Sequence, residues 1–375
     1  MKQPYRGRVQ LALVASISLM ITTSACGGDE SKGDGAPSTG KPETAAEIAL
    51  YQGADRQQIL EACAREEGKV SMITGTFVDT VIDPLAKKFN EKYPYIKVEA
   101  IRMDEPDMVR RILEEGRARR TTIDVLDNEP QSLNTVRSGE LLQAFSSPFS
   151  GDYPEGTVEP GKPAGAFWVG HRQSIMAPVY NTKSLPADLV PKSHDDLLQP
   201  ELKGKIVVAD STPLRRFVSA ILKIKGEEAG LTYLKALAAQ DVRVYDVSVR
   251  ALVDLVGGGE AVISPTALGH HAEEAKSKGA PVDWARVSPL IAWTNSIARV
   301  KDGPHPCSAA LWTDYMLDPS GGQAGYSNVG YLPTHPDAKG KYDQLTDSEL
   351  LYGKDIVPDA EAKRIEDLTR EIFLS

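Results

Sequence analysis

Two long extended runs constrain this chain more than any other feature. Phe167–Tyr180 and Val287–Val300 (VSPLIAWTNSIARV) each exceed the usual strand of about five or six residues. A separate block of alternating strands and helices lies between them. The first run is expected to carry the chain from one lobe into a second, and the other to bring it back. The stretch Ala164–Pro213 holds the first crossing, a loop, a short helix Ser193–Leu198 with Ser193 as N-cap, the buried strand Ile206–Ala209, and the helix start Thr212-Pro213.

Both blocks alternate in the manner of a mostly parallel sheet covered by helices on two faces. In the first, helix Gln57–Glu67 ends at Gly68 and strand Val70–Ile73 follows. Then come helix Phe77–Tyr93 (with Pro84 as a kink or late start), strand Ile96–Ile101, helix Asp107–Glu115 stopping at Gly116, strand Ile123–Leu126 and helix Gln131–Ser138. The second block continues through helix Leu231–Ala239, strand Val242–Tyr245 and a helix capped by Ser248 that ends at Gly257–Gly259. It closes with strand Ala261–Ile263 and a helix from Ser264-Pro265 through Lys276. An amphipathic helix is expected at Pro306–Leu317, a turn-rich segment at Gly330–Pro336, and charged helix over Asp347–Leu374. The fold class is α/β.

The N-terminus reads as an export signal. Lys2, Arg6 and Arg8 precede an apolar run, Leu11–Thr23, and small residues lead into Cys26. That run is short of the roughly 20 apolar residues that span a bilayer. Gly27–Thr44 is Gly, Ser, Pro and charge, which cannot bury a core and acts as a flexible tether. Once the signal is removed, the chain is still too long for one ordinary core and suits two domains. The expected division is 1–25 signal, 26–45 tether, 46–150 first lobe, 151–286 second lobe, 287–335 return to the first lobe and 336–375 C-terminal helices. A net charge of −9 and an isoelectric point near 5.3 argue against nucleic-acid binding. Cys63 and Cys307 either pair, as export permits, or remain buried thiols.

In open α/β sheets a ligand binds beyond the carboxyl ends of the strands, where helices begin and offer free N–H groups to anions. Five such ends converge if the lobes face each other. They are Thr74-Gly75-Thr76, Asn128-Glu129, Ser211-Thr212, Asp246 with Ser248, and Ser264 with Thr266. His171, Arg172, Arg215 and Arg216 lie near the same ends and add charge. An anionic group on the ligand follows, although any helix favours a Ser or Thr cap for structural reasons alone. His270-His271 are either residues on the polar side of a helix start or metal ligands in need of partners from elsewhere, such as Glu129. The chain carries no G-x-S-x-G elbow, H-E-x-x-H, Walker A or G-x-G-x-x-G after a strand. A Ser264/His270 or Ser264/His271 pair is the remaining catalytic arrangement. No cofactor is expected.

Several segments together resemble the ferric-iron, polyamine and phosphonate type of extracytoplasmic solute-binding protein that serves ABC importers. They are Tyr180-Asn181 at the end of the crossing strand, Pro191–Leu198, the Lys203–Ile206 step into a strand, Gly259-Glu260 before a strand, Pro304–Leu317, Gly322-Gln323 and Gly330–Pro336. The resemblance runs from about residue 46 to the end. It implies a two-lobed periplasmic-binding-protein-like fold, two mixed sheets covered by helices and joined by crossing strands, closing as a monomer over one solute. It also implies docking on a membrane permease driven by an ATPase. Cys26 resembles the lipidated cysteine of a bacterial lipobox, with Thr23 where Leu is usual; otherwise the signal is an ordinary one with an incidental cysteine. Ferric-binding members carry a Tyr-Tyr pair where this chain has His270-His271, and no Tyr lies between Ser264 and Ala280. A small organic anion is therefore the expected solute, ferric iron the alternative, and a lipid-anchored hydrolase the alternative from another class.

Overall fold

A computed structural model describes residues 41–340, 350–352 and 361–374. The expected signal, Cys26 and most of the tether lie outside the described residues. Among the described residues, no helix is long and apolar enough to cross a membrane.

The first lobe opens with α1 (Ala45–Leu50), whose N-cap Thr44 and residue Glu47 form a capping box. α2 (Arg56–Glu67) ends where Gly68 takes a left-handed conformation at φ 71°. Next come β1 (Lys69–Thr74), α3 (Asp83–Lys92), β2 (Lys97–Arg102), α4 (Glu105–Arg117), β3 (Val125–Asn128) and α5 (Pro130–Ser138). Pro84 sits in the first turn of α3, where its missing N–H costs nothing, and a π-helical turn at Val78–Ile82 precedes it. β1 pairs in parallel with both β2 and β3.

The chain then passes through β4 (Leu142–Gln143) and β5 (Val158–Pro160) into β6 (Ala166–Met176). The second lobe comprises β7 (Val179–Asn181), β8 (Val207–Ala209), α6 (Thr212–Lys225), α7 (Glu227–Ala238), β9 (Arg243–Tyr245), α8 (Val249–Gly258), β10 (Ile263–Ser264), α9 (Gly269–Ser277) and β11 (Val282–Trp284). β12 (Leu290–Val300) returns, followed by α10 (Pro306–Leu317), α11 (Ala324–Asn328), β13 (Leu332–Pro333), β14 (Leu350–Tyr352) and α12 (Ala362–Phe373).

The large sheet has the order β13-β6-β12-β3-β1-β2, with β4, β5 and β14 pairing at its flanks. β6 and β12, each 11 residues, lie antiparallel from Trp168↔Ala298 to Met176↔Ile291. They run from one hydrophobic core into another. Val169 and Ile297 sit in the first-lobe core with Phe89 and Trp312, whereas Ile175 and Leu290 sit among Val179, Leu252 and Trp284. The second lobe holds a three-stranded sheet, β10-β7-β11, and the parallel pair β8·β9, linked by an Ile206–Ile263 bridge. Two mixed sheets covered by helices and joined by crossing strands are therefore present.

Local elements differ from expectation in four places. The helix expected from Ser264-Pro265 starts only at Gly269, because Ser264 pairs with Val179 and the proline disfavours helix at the residue before it. Ser193 does not cap a helix. The Asp196 carboxylate instead accepts from the Lys192 and Ser193 N–H groups, and a single 3₁₀ turn, Asp195–Leu198, follows. Helix Pro306–Leu317 is not amphipathic: ten of its 12 residues are buried, because it lies between the large sheet and α2. Part of the expected C-terminal helix is strand β14, which pairs in parallel with Leu290–Ala292.

Cys63 and Cys307 form a disulfide joining α2 to α10 across 244 residues of sequence. Glu67 lies beside it and accepts from the Cys307 and Ser308 N–H groups at 3.0 and 2.7 Å, capping α10. Closing so long a loop restricts the unfolded chain strongly. The Cys63→Ser/Cys307→Ser double variant should lose stability on the order of 4 kcal/mol, read as a lower urea midpoint with an unchanged far-UV spectrum.

Candidate functional site

β1 and β3 end side by side, with Thr74 opposite Asp127. The fully buried Asp127 carboxylate collects three partners. Thr74 Oγ1 donates at 2.6 Å, His171 Nε2 lies at 2.9 Å, and Arg172 Nη2 donates to both oxygens at 3.1 and 3.2 Å. His171 and Arg172 reach it together because β6 bulges there. Arg172 pairs with Asn295 and Gly170 with Ser296, so His171 is the extra residue. Burial alone would push the Asp127 carboxyl up, but Arg172, His171 and Thr74 hold it well below the usual carboxylate range.

A polar seam extends from this knot into the second lobe. The Thr76 and Tyr331 hydroxyls share a hydrogen bond of 2.6 Å, and the Tyr331 ring stacks on His270 with centroids 4.1 Å apart. Arg172 lies over the Tyr331 ring at 4.8 Å. His271 meets Phe77 at 5.6 Å. Burial keeps His270 neutral and pushes His271 down to about 3. Nδ1 of both histidines, Asn128 Nδ2, Ser264 Oγ and Thr266 Oγ1 are buried without a protein partner.

Beside the seam, the first turns of α5 and α6 face each other across a cavity of about 770 Å³. Glu129, the N-cap residue of α5, accepts from Arg216 Nη2 at 2.6 and 2.8 Å. Arg216 also lies over the Trp293 ring at 4.6 Å. Thr212 and Arg215 line the same cavity, and Arg215 is held by Asp210 at 3.2 Å. The crossing strands supply Trp168, Gln173, Trp293 and Ser296. Gln173 Oε1 and Ser296 Oγ are buried there without a protein partner. Glu105, on α4, crowds this corner; burial, and then the charge of Glu129, pushes its carboxyl up.

The residues singled out from the sequence thus divide. Glu129, Thr212 and Arg215 line the cavity. Thr76, Asn128, His270 and His271 lie buried along the seam, whereas Gly75 is exposed and donates its N–H to the Asp127 carbonyl. Thr74 Oγ1 and His171 Nε2 are committed to Asp127, whereas His171 Nδ1 is buried without a protein partner. Ser211 turns its hydroxyl back onto the Ala209 carbonyl. Ser248 is exposed and caps α8 by accepting from the Ala251 N–H at 3.2 Å. Ser264 and Thr266 are fully buried. His270 and His271 are buried, not on a polar helix face, because Gly330-Tyr331 packs over the start of α9. Among the described residues, the one cluster of three metal-ligating side chains is Cys63, Glu67 and Cys307, whose sulfurs are joined to each other. Asp127, Trp168, Gln173, Trp293, Ser296 and Tyr331 were not among the residues expected. Strand alternation does not single out the four on the crossing runs, because Trp168 and Gln173, and Trp293 and Ser296, are odd numbers of residues apart and would face opposite sides of a regular strand.

Two α/β lobes, shared crossing strands and a charged, aromatic-walled cavity between helix starts define a two-lobed solute-binding protein. Residues 124–353 match the bacterial extracellular solute-binding protein family. The chain belongs to that family. An Fe(3+)-binding periplasmic protein of Serratia marcescens is 29% identical over 144 residues, which is 38% of this chain and 41% of that protein. The aligned segment thus spans about two fifths of that relative. The fold is shared with the periplasmic binding protein AfuA from Actinobacillus pleuropneumoniae, solved with exogenous fructose-6-phosphate bound. There the TM-score is 0.62 and the identity 20%, covering 82% of this chain and 99% of that one. Iron-bound HitA from Pseudomonas aeruginosa gives a TM-score of 0.61 at 23% identity, covering 81% and 99%.

Burial depresses the folded-state pKa of His171, His194, His270 and His271. Each regains a proton on unfolding below about pH 6.5. Their contribution is therefore intact above that pH and is lost as pH falls toward the folded-state values. Stability should drop by up to about 1.4 kcal/mol per pH unit for each histidine between pH 6.5 and 5. Urea midpoints across that range check this, and His271→Gln should flatten the slope by about one proton.

Proposed function

We propose that the protein is the extracytoplasmic solute-binding component of an ABC importer. In this scheme it captures a small solute with an anionic group in the interlobe cavity and delivers it to a membrane permease and its ATPase. Cys26 and the polar segment after it would hold the protein at the membrane by a lipid anchor and tether. One observation carries the choice of an anionic group. Thr212 and Arg215, with Arg216 beside them, stand at the start of α6, where the positive end of the helix and two guanidiniums face a common cavity. Trp168 and Trp293 suit an organic body on the same solute, and Gln173 Oε1 and Ser296 Oγ offer it hydrogen bonds. A relative solved with a sugar phosphate fits this chemistry.

The iron-binding relative favours ferric iron as the second choice. Against it, no Tyr lies between Ser264 and Ala280, Glu129 is engaged by Arg216, and His270 and His271 join no cluster of three ligating side chains among the described residues.

Native mass spectrometry of the purified protein should show one small organic anion per chain. An iron adduct that persists in chelator would overturn the organic assignment, and turnover of the bound compound would mark a hydrolase instead. Arg215→Ala and Thr212→Ala should each weaken calorimetric affinity for the recovered compound, by about tenfold or more for the arginine. The melting temperature of the solute-free protein should stay unchanged in both.

A further inference from the structure

We infer that Arg216 and Glu129 form a direct clasp that holds the two lobes closed before any solute arrives, so that they position the lobes and do not merely line the cavity. Glu129 is the N-cap residue of α5 at the end of β3, in the first lobe, and Arg216 stands on α6, in the second. Their contact at 2.6 and 2.8 Å therefore spans the opening that hinge motion would widen. Neighbouring ion pairs stay within one lobe: Arg137 with Glu159 in the first, Arg215 with Asp210 in the second.

Three features make this pair suited to the task. Its side chains are 18% and 19% exposed, so the attraction is screened far less than between surface charges. Arg216 is held from behind by the Trp293 ring on β12, at 4.6 Å, which fixes the guanidinium relative to the crossing strand. Glu105 lies close to both partners: burial, and then the charge of Glu129, push its carboxyl up, while Arg216 pulls it down. Opening the lobes would leave Glu129 and Glu105 facing each other without Arg216. Closure in this protein is thus biased by its own residues, and the solute adds to a state already populated.

The clasp rests on the cavity lying between two mobile lobes, as proposed above, but its test needs no solute. Spin labels at Glu114→Cys on α4 and Glu228→Cys on α7, both exposed positions, with Cys26→Ser so that only these take label, report the interlobe distance by pulsed electron resonance. The full chain is stripped of any co-purified compound by unfolding and refolding with its disulfide intact. The otherwise unaltered protein should show mainly the short distance. Arg216→Met and Glu129→Gln should each shift the closed-to-open ratio toward open by about tenfold or more. The exchanged pair Glu129→Arg/Arg216→Glu should recover part of it. A stripped protein as open as Arg216→Met, or an Arg216→Met variant as closed as its parent, overturns the clasp. A closed, clasped protein that binds no solute would sink the transport proposal and leave the clasp standing; a solute-binding protein that is open when stripped would do the reverse.

Discussion

The antiparallel pairing of β6 with β12 is the constraint on which the rest depends. One pair of strands serves two cores, with Val169 and Ile297 packed in the first lobe and Met176 and Ile291 in the second. The lobes thus share a continuous hydrogen-bonded ladder while their helices pack separately. Where the ladder passes between the cores it must carry polar residues, since it borders the cleft there, and buried polar groups need partners. The bulge at His171 meets that need by bringing His171 and Arg172 onto Asp127. An unpaired carboxylate at that depth would be prohibitive; paired with Arg172 and bonded to Thr74 it becomes the fixed point between the lobes.

From that fixed point the site divides by burial. The seam from Thr76 through Tyr331 to His270 is packed and largely neutral, because burial favours the uncharged imidazole. The two arginines of the cavity beside it keep their charges because both have partners: Arg216 has Glu129 and Trp293, and Arg215 has Asp210. A solute entering there meets donors already oriented by the α6 first turn and by neighbouring side chains. Little reorganisation is then needed on binding.

Much of the architecture was legible in the sequence. Hydrophobic runs ended by Gly68 and by the Gly257–Gly259 turn, and the two long runs around Trp168 and Trp293, carry the alternation and the crossing, because these are local or period-based signals. What was not legible depended on long-range pairing. β14 forms only because Leu290–Ala292 offers an edge to it, and Ser264 stays in a strand because Val179 pairs with it. At the site, Glu129, Thr212 and Arg215 were readable as helix-start residues. Whether a hydroxyl or imidazole at such a position faces a ligand or is already taken is decided by neighbours distant in sequence. Thr74 Oγ1 and His171 Nε2 are claimed by Asp127, and Ser248 by its own helix.

The central claim is that solute sits between the lobes, touching both. A crystal structure of the protein carrying its recovered solute tests it most directly. Density is expected in the cavity walled by Arg215, Trp293 and Glu129, with contacts from α6 on one side and from α5 or β6 on the other. Density held by one lobe alone, or a solute bound elsewhere with this cavity unfilled, would contradict it.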